Sequence, residues 1–336
     1  MNRRTFNAAT LAAAFAPLPR ISSAQHIART DTGYQIAAMN DGLLTVQHGG
    51  KARAGVAVDD DTLFQVASCS KTVTCLAVLT LVRDGHLAFD APVNPYLRRW
   101  QLPGLRGDTA TVAELMSHTA GTSIHGFDGY GPSEDLPELF EILDGRVPAT
   151  SGAVITRPRL LGKFRYSGGG TMVLQALIED VTGEAFSTYT SRAVLQPAGA
   201  SAATFAITPH AAFAHGFYES GQRVEGGFRR HPESAAAGLW ATASDLAKLY
   251  QGILDSLRRK RRAILPFELA ARMVTPVHRQ SGLGVFVEPG RVIWHEGRNH
   301  GFDAVVAAEL TTGRVRAAVT NRNGAIESYA QELIPQ

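Results

Sequence analysis

The sequence predicts an α+β fold in which an antiparallel sheet, built from both termini, is flanked by helices and interrupted by an inserted, mostly helical region. Two observations predict this arrangement. Segments that alternate apolar and polar residues lie near both ends of the chain, whereas segments with helical spacing of apolar residues occupy the middle. The chain has 336 residues, of which 45% are hydrophobic, so it is long enough to bury a large core.

The first 24 residues have the composition of an export signal. Arg3 and Arg4 precede a small-residue apolar run over residues 8–17, and residues 22–24 resemble a cleavage site. The arginine pair followed by Phe6 resembles a twin-arginine signal. The run is shorter than the ~20 residues of a membrane span. We therefore predict that residues 1–24 are cleaved and that the protein is periplasmic or secreted, without stable membrane insertion; a frayed cytosolic tail is the alternative.

A β-hairpin and a long helix are the first predicted elements. Apolar and polar residues alternate between Gly33 and Gly50, and Asp41-Gly42 between the two runs is a hairpin signal. Residues 68–83 then carry apolar side chains at helical spacing, and Asp84-Gly85 ends that helix.

The middle of the chain predicts helices joined by loops. Thr111 with Glu114 three residues later predicts a capped short helix that ends near Ser117. Further helices are predicted near 136–143, over 171–181 and over 244–257, the last capped by Ser244. We assign this inserted region to residues 91–249, and the sheet region to residues 25–90 and 250–336.

The C-terminal part predicts strands joined by turns. The strands are predicted at Leu283–Glu288, Arg291–His295, Ala304–Leu310 and Arg314–Asn321, before a last helix over 325–333. Clefts between two lobes are favoured ligand sites, so we expect the functional site between the sheet and the helical region.

Charge and cysteine usage exclude several classes of function. The formal net charge of +3 is too small to indicate a nucleic-acid partner. The basic cluster 258–262 is interpreted as a solvated helix end or loop, with a polyanion site as the alternative. Cys69 and Cys75 would lie ~9 Å apart on one helix, too far for a disulfide. No metal-ligand spacing, Walker loop or dinucleotide fingerprint is present, so we expect no metal and no cofactor.

Ser68 and Lys71 form an S-x-x-K motif at the start of the predicted long helix. Residues three apart share one helix face, so the amine would lie one turn from the hydroxyl. Free N–H groups at a helix start can hold the oxyanion of an attacked carbonyl. A lysine activates a serine only when its pKa is lowered. Ser70 is a rival nucleophile, but it lies about 100° around the helix from Lys71; a capping serine beside a solvated lysine is the alternative.

Two further motifs carry candidate chemistry. Tyr166 precedes a glycine run and an apolar helix, and a nearby ammonium would make its phenolate easier to reach, so that it could serve as base and then as acid. The sequence His295-Glu296-Gly297 lies on a predicted strand, which could supply a second oxyanion donor from its backbone. A surface turn tyrosine and an edge-strand histidine are the structural alternatives.

In this order and spacing, the three motifs resemble the serine β-lactamase, penicillin-binding protein and esterase superfamily, and within it the class C-type branch. The resemblance covers nearly all of residues 34–336 and implies a β-lactamase/transpeptidase-like fold. Supporting stretches are residues 62–67, 87–93, 115–121 and 237–240. The resemblance implies that Ser68 is the acylated nucleophile, Lys71 its proton partner and Tyr166 a second base, with the backbone N–H groups of Ser68 and Arg298 as oxyanion hole, and Gly168, His295 and Gly297 at the substrate.

Two departures from the family pattern bear on the substrate. Gly168 stands where relatives have an asparagine that touches the substrate, and His295 stands where many have a lysine, so a fixed positive charge is lost at neutral pH. Both departures argue against an efficient β-lactamase and leave acyl transfer intact.

We therefore predict a serine hydrolase that acts through an acyl-enzyme on small esters, amides or peptides, as a β-lactamase-related esterase or D-amino-acid peptidase. The alternatives are a penicillin-binding DD-peptidase or weak β-lactamase and, in another class, a non-catalytic ligand-binding or sensor module. The sequence leaves the oligomeric state open.

Overall fold

The computed structural model describes residues 32–40, 42–157, 162–209, 212–288 and 292–333. The predicted export signal, residues 1–24, lies outside them. The strands are β1 (Tyr34–Asn40), β2 (Leu43–Gly49), β3 (Lys51–Arg53), β4 (Val56–Ala57), β5 (Phe64–Gln65), β6 (Trp240–Ala241), β7 (Phe286–Glu288), β8 (Val292–Asn299), β9 (Phe302–Glu309) and β10 (Val315–Thr320). The α-helices are α1 (Ser70–Arg83), α2 (Val112–Met116), α3 (Leu139–Asp144), α4 (Gly168–Thr182), α5 (Phe186–Thr190), α6 (Gln196–Ala198), α7 (Ser234–Ala237), α8 (Ala243–Leu257), α9 (Phe267–Met273) and α10 (Glu327–Leu333).

Both ends of the described chain contribute to one antiparallel six-stranded sheet, as the sequence predicts. Its order is β2-β1-β10-β9-β8-β7, so the N-terminal hairpin pairs directly with the last strand. The register runs from Tyr34 opposite Thr320 to Met39 opposite Val315. Asn321 secures the junction, because its side-chain oxygen accepts a hydrogen bond from the backbone N–H of Gly33 at 2.7 Å.

Helices cover both faces of this sheet. Strand β9 is buried on both faces, which explains why its sequence lacks apolar and polar alternation. Val306 belongs to the main core between the sheet and the helical region, whereas Val305 packs in a smaller cluster with Tyr329 of α10. The sheet face that carries Val306 therefore packs against the helical region that contributes to the functional site.

The helices match the prediction in place but differ at their ends. The predicted cap Ser244 is wrong: Thr242 caps α8, because its hydroxyl accepts from the N–H of Asp245 at 3.0 Å and the Asp245 carboxylate accepts from the N–H of Thr242 at 3.1 Å. Helix α4 begins at Gly168 rather than at 171, since Ser167 caps it. The predicted boundary between the inserted and sheet regions, at 249 and 250, falls inside α8.

Several short elements have no signal in the sequence. Strands β5 and β6 pair across the chain, Phe64 opposite Ala241, and bring the segment before Ser68 against the segment after α7. Strand β8 runs to Asn299, four residues beyond the predicted end, because these residues pair with β9.

The remaining sequence predictions concern surface and packing. Cys69 and Cys75 are free thiols and both are buried. The basic cluster 258–262 is exposed, as predicted, and within it Lys260 pairs with Asp255 at 2.8 Å. Across the described ranges, no helix combines the length and apolar character that a bilayer span requires.

Candidate active site

Ser68 and Lys71 meet at the start of α1, as their spacing predicts. A 3₁₀ turn, Ala67–Cys69, leads into the helix and carries Ser68 at its centre. The Lys71 Nζ atom lies 3.1 Å from the Ser68 Oγ atom and donates to the Ala236 carbonyl of α7 at 2.7 Å. The lysine side chain is buried, whereas Ser68 is half-buried and faces the cleft.

Burial changes the proton affinity of this lysine. Removal from water disfavours the ammonium and lowers the pKa of Lys71 from 10.5 to about 7. A pKa near 7 leaves a substantial share of the side chain as the neutral amine at neutral pH. Lys71 therefore meets the condition under which a lysine accepts the proton of a serine nucleophile.

Ser70, the rival nucleophile, is fully buried and has a structural role. Its hydroxyl donates to the carbonyl of Ala67 at 2.6 Å and accepts from the backbone N–H of Leu239 at 3.0 Å. Ala67 has a left-handed backbone with φ of 46°, a conformation that costs an alanine about 1–2 kcal/mol. Ser70 thus fixes the strained residue that precedes Ser68.

Tyr166 joins Ser68 and Lys71, although it lies about a hundred positions further along the chain. Lys71 Nζ is 4.9 Å from the centre of the Tyr166 ring. Burial raises the pKa of Tyr166, and a hydrogen bond with Ser68 opposes this rise only in part. Burial therefore makes the phenolate of Tyr166 harder to reach, and the role of Tyr166 as a base stays a prediction.

The position of Tyr166 depends on the segment before α4. The next residue, Ser167, donates its hydroxyl to the Ser123 carbonyl at 2.7 Å, and its N–H donates to His118 Nδ1 at 3.3 Å. The His118 ring also packs on the Tyr166 ring, with 4.6 Å between centres. Burial lowers the pKa of His118 to about 3, which keeps it neutral and able to accept this bond. The sequence places His118 in a supporting stretch but gives it no role.

Gly168 does not line the cleft. It lies buried in the first turn of α4, and a Cβ atom there would lie 3.0 Å from the ring of Phe127 and 3.2 Å from the carbonyl of His125. These two residues occupy the adjacent cleft wall. Phe127 and His125 thus line the cleft next to Gly168, and contact of Gly168 with the substrate stays a prediction.

Strand β8 passes close to Ser68. A Cβ atom on Gly297 would lie 2.2 Å from the Val66 carbonyl and 2.8 Å from the Ser68 nitrogen, so only glycine allows this approach. Arg298 lies next on the cleft wall, and its guanidinium is held by the Asp303 carboxylate at 2.8 Å. The charge of Arg298 is therefore engaged within the protein, and its backbone N–H as an oxyanion donor stays a prediction.

His295 is buried beside the reacting groups. Burial, together with the charge of Lys71, lowers the pKa of His295 to about 3. His295 is therefore neutral, and the site lacks a fixed cation at this position, as the sequence predicts.

The cleft around these groups has a volume of about 750 Å³. Aromatic side chains form much of its wall, and they come from separate loops and from β7. They are Phe127, Phe164, Tyr166 and Phe286. Phe127, Phe164 and Phe286 carry no motif, so the sequence alone could not identify them; only the fold brings them together.

Comparison with known proteins agrees with this geometry. A model of the Beta-lactamase family matches residues 24–334. PbpX of Bacillus subtilis (strain 168), which is assigned to the penicillin-binding proteins, is 26% identical over 243 residues, or 68% of this chain and 54% of PbpX. Esterase EstB of Burkholderia gladioli is 30% identical over 155 residues, or 44% of this chain and 39% of EstB. The chain thus spans only about half, or less, of these relatives' own length.

Solved structures share the fold at lower identity. A penicillin-binding protein from Bacillus halodurans superimposes with a TM-score of 0.72 at 20% identity, covering 93% of this chain and 100% of that one. The D-amino acid amidase from Ochrobactrum anthropi SV3, complexed with L-phenylalanine amide, gives a TM-score of 0.72 at 20% identity over 91% of each chain. The family match over nearly the whole sequence, on a fold that brings Ser68, Lys71 and Tyr166 together, shows that the chain belongs to the Beta-lactamase family.

Proposed function

We propose that this protein is a serine hydrolase that forms an acyl-enzyme on Ser68 with small esters or amides. One observation carries the proposal: the buried amine of Lys71, with a pKa of about 7, lies 3.1 Å from the Ser68 hydroxyl. A serine needs such a base to attack a carbonyl at neutral pH. The names of an esterase and of a D-amino acid amidase among the similar proteins support this class of substrate.

The proposed acylation uses each group once. The neutral Lys71 amine takes the proton of Ser68 as its oxygen bonds to the substrate carbonyl carbon. The backbone N–H groups of Ser68 and Arg298 stabilise the resulting oxyanion. The Tyr166 phenol gives its proton to the leaving alkoxide or amine as the carbon–heteroatom bond breaks, and it regains a proton from the Lys71 ammonium.

Deacylation uses Lys71 again as the base, with water in place of the Ser68 hydroxyl. Water enters after the leaving group departs, and the amine of Lys71 accepts its proton as the water oxygen attacks the acyl carbon. The proton then returns to Ser68 as its ester bond breaks. The site thus completes a cycle without a metal or a cofactor in the proposed scheme.

The alternative of a DD-peptidase or β-lactamase needs a cation for the carboxylate of its substrate. His295 is neutral, and the Arg298 guanidinium is engaged by the carboxylates of Asp303 and Glu327 at 2.8 and 3.0 Å. Glu296 adds a negative charge at the same cleft. These charges favour esters and amides without a carboxylate over β-lactams and D-Ala-D-Ala peptides.

Labelling of the nucleophile tests the proposal. The purified protein is incubated with a fluorophosphonate, and mass spectrometry of peptides locates the adduct. We expect an adduct on Ser68 and loss of p-nitrophenyl ester hydrolysis in Ser68→Ala. An unlabelled Ser68, with ester hydrolysis retained in the variant, would contradict the proposal and favour a non-catalytic binding module.

A substrate panel separates the candidates within the hydrolase class. Simple esters, D-amino-acid amides, a D-Ala-D-Ala peptide and a penicillin are compared by kcat/KM. We expect esters or amides to be preferred; faster turnover of the penicillin or of the D-Ala-D-Ala peptide would favour the alternative.

We also propose that the protein is exported, on the basis of the arginine pair and cleavage site in residues 1–24. Mass spectrometry of the mature N-terminus from a periplasmic fraction tests this. An intact N-terminus in the cytosol alone would contradict it.

A further inference from the structure

We propose that Glu296 makes this site selective for substrates that carry an ammonium group. The inference rests on the proposed hydrolase function and names a class of substrate within it. It concerns the carboxylate of Glu296 and the aromatic wall beside it.

Glu296 lines the cleft at the open edge of β8. Side chains alternate along a strand, so Glu296 lies on the opposite face from His295 and Gly297. This is the face on which its partner Val305 packs with Tyr329 of α10. His295 and Gly297 are buried, whereas Glu296 is exposed and lines the cleft. Strand β7 pairs with β8 only as far as Trp294, and the described residues place no further strand along that edge. A ligand can therefore reach Glu296.

The charge of Glu296 is not neutralised in the described part of the chain. The lysine and the arginine that line the cleft are already engaged. Lys71 contacts the Ser68 hydroxyl and the Ala236 carbonyl, and Arg298 pairs with two other carboxylates. No ion pair of Glu296 occurs between residues whose placement the structure gives. The cleft thus presents an uncompensated carboxylate that attracts a cation and repels an anion.

The field of this carboxylate reaches the reacting groups. Burial is the largest cause of the raised pKa of Tyr166 and of Cys69, the neighbour of Ser68. The negative charge of Glu296 is a further cause in both cases. A substrate whose carbonyl is at Ser68 therefore lies within electrostatic range of Glu296.

The wall beside Glu296 is aromatic, which also favours an ammonium group. The Phe286 ring stacks on Trp294 with 4.7 Å between centres and lies 6.2 Å from the Tyr166 ring. Trp294 is two residues before Glu296 on the same face of β8. Aromatic faces attract organic cations, and quaternary ammonium groups are commonly bound by such walls. The carboxylate and the rings are thus two independent features that select the same ligand chemistry.

A pair of isosteric esters tests the proposal. One is the p-nitrophenyl ester of γ-trimethylammonio-butanoate, and the other is its uncharged analogue, in which carbon replaces the nitrogen. We expect the wild type to show a kcat/KM about tenfold higher for the cationic ester. In Glu296→Gln the ratio of the two kcat/KM values should fall several-fold, and comparison across variants cancels the intrinsic reactivity of each ester. Added salt should reduce the wild-type ratio.

Glu327→Gln provides the matched control. It removes the same charge from another residue that lines the cleft, whose carboxylate pairs with Arg298. A reduced ratio in Glu296→Gln and not in Glu327→Gln supports the proposal. Three results would overturn it. These are an equal fall of the ratio of kcat/KM values in both variants, an unchanged ratio in Glu296→Gln, and a wild type that shows no preference for the cationic ester. These outcomes differ from failure of the proposed function, in which hydrolysis would not depend on Ser68.

Discussion

The side-chain amine of Lys71 lies 3.1 Å from the hydroxyl of Ser68 in an environment that lowers the pKa of the amine to about 7. This relationship gives the lysine and the tyrosine different roles in proton transfer. Because burial raises the pKa of Tyr166, the phenol favours its protonated form at neutral pH, which suits it to donate a proton first. Lys71 is then the group that must lose a proton before Ser68 attacks.

The pH dependence of acylation follows from this assignment. The neutral amine is the active form, so kcat/KM should rise as pH increases and reach half of its maximum near pH 7. A steady-state profile from about pH 5 to about pH 9 measures this. A rise centred at a much more alkaline pH would instead assign the base to Tyr166.

Lys71→Arg extends the same prediction. An arginine stays protonated throughout this range and cannot accept the proton of Ser68. We expect kcat/KM to fall by about 10²–10⁴-fold. Labelling of Ser68 by a fluorophosphonate should slow in parallel, and circular dichroism should confirm that the variant is folded. Full activity in the folded variant would contradict the role of Lys71 as base.

Gly297→Ala should impair the site through geometry alone. The added methyl would lie 2.2 Å from the Val66 carbonyl and 2.8 Å from the Ser68 nitrogen, so β8 must move away from the nucleophile. A displacement of about 1 Å at a reacting centre can cost about a hundredfold in rate. We expect a loss of this size in kcat/KM. Gly152→Ala is the control, because its methyl would meet only Ile124, at 3.8 Å; equal effects in both variants would refute the explanation.

Ser70→Ala tests the support of the strained residue Ala67. Loss of the hydroxyl leaves the carbonyl of Ala67 and the N–H of Leu239 without this buried partner, which should cost about 1–3 kcal/mol of unfolding free energy. Ser187→Ala, at an exposed position, should change it by no more than about 0.5 kcal/mol. Denaturant unfolding measures both, and similar stabilities in the two variants would show that Ser70 has no such role.

The sequence predicts most of the architecture because its strongest signals are local. Apolar periodicity and the Asp84-Gly85 stop locate α1, and the capping box at Thr111 locates α2. Short elements stabilised by distant partners escape such signals. Strand β5, for example, exists because it pairs with β6 across the chain. The N-terminal cap of α8 is ambiguous in the sequence, because Ser244 and Thr242 are both good capping residues.

In the candidate site, too, local features are predicted from the sequence and features that depend on distant contacts are not. S-x-x-K spacing places Ser68 and Lys71 on one turn, and the family resemblance identifies Tyr166. The proton affinity of Tyr166 could not be predicted, because it depends on burial by residues such as His118 and Phe286 that approach from other segments. The motif position of Gly168 predicts contact with the substrate, but it gives no sign that Phe127 packs directly beside it.

A buried acid beside α7 leads to the last prediction. Glu233 precedes the helix whose Ala236 carbonyl contacts Lys71, and its carboxylate lies 3.8 Å from His231 Nδ1. Within the described ranges, neither ring nitrogen of His231 has a hydrogen-bond partner, and neither has the Oε2 atom of Glu233. Burial raises the pKa of Glu233 from 4.5 to about 7. The folded protein therefore binds this proton more tightly than the unfolded chain does.

Glu233→Gln should consequently change the pH dependence of stability. In the wild type, the contribution of Glu233 is fully present below pH 4.5 and is lost as the pH rises through about 7. Glutamine does not titrate, so the melting temperature of the variant relative to the wild type should increase by a few degrees from about pH 5 to about pH 8. The lowered pKa of His231 acts in the opposite direction but is common to both proteins. Glu225→Gln, at an exposed position, controls for the lost charge; a difference from the wild type that is the same at both pH values would contradict the assignment of a buried, protonated Glu233.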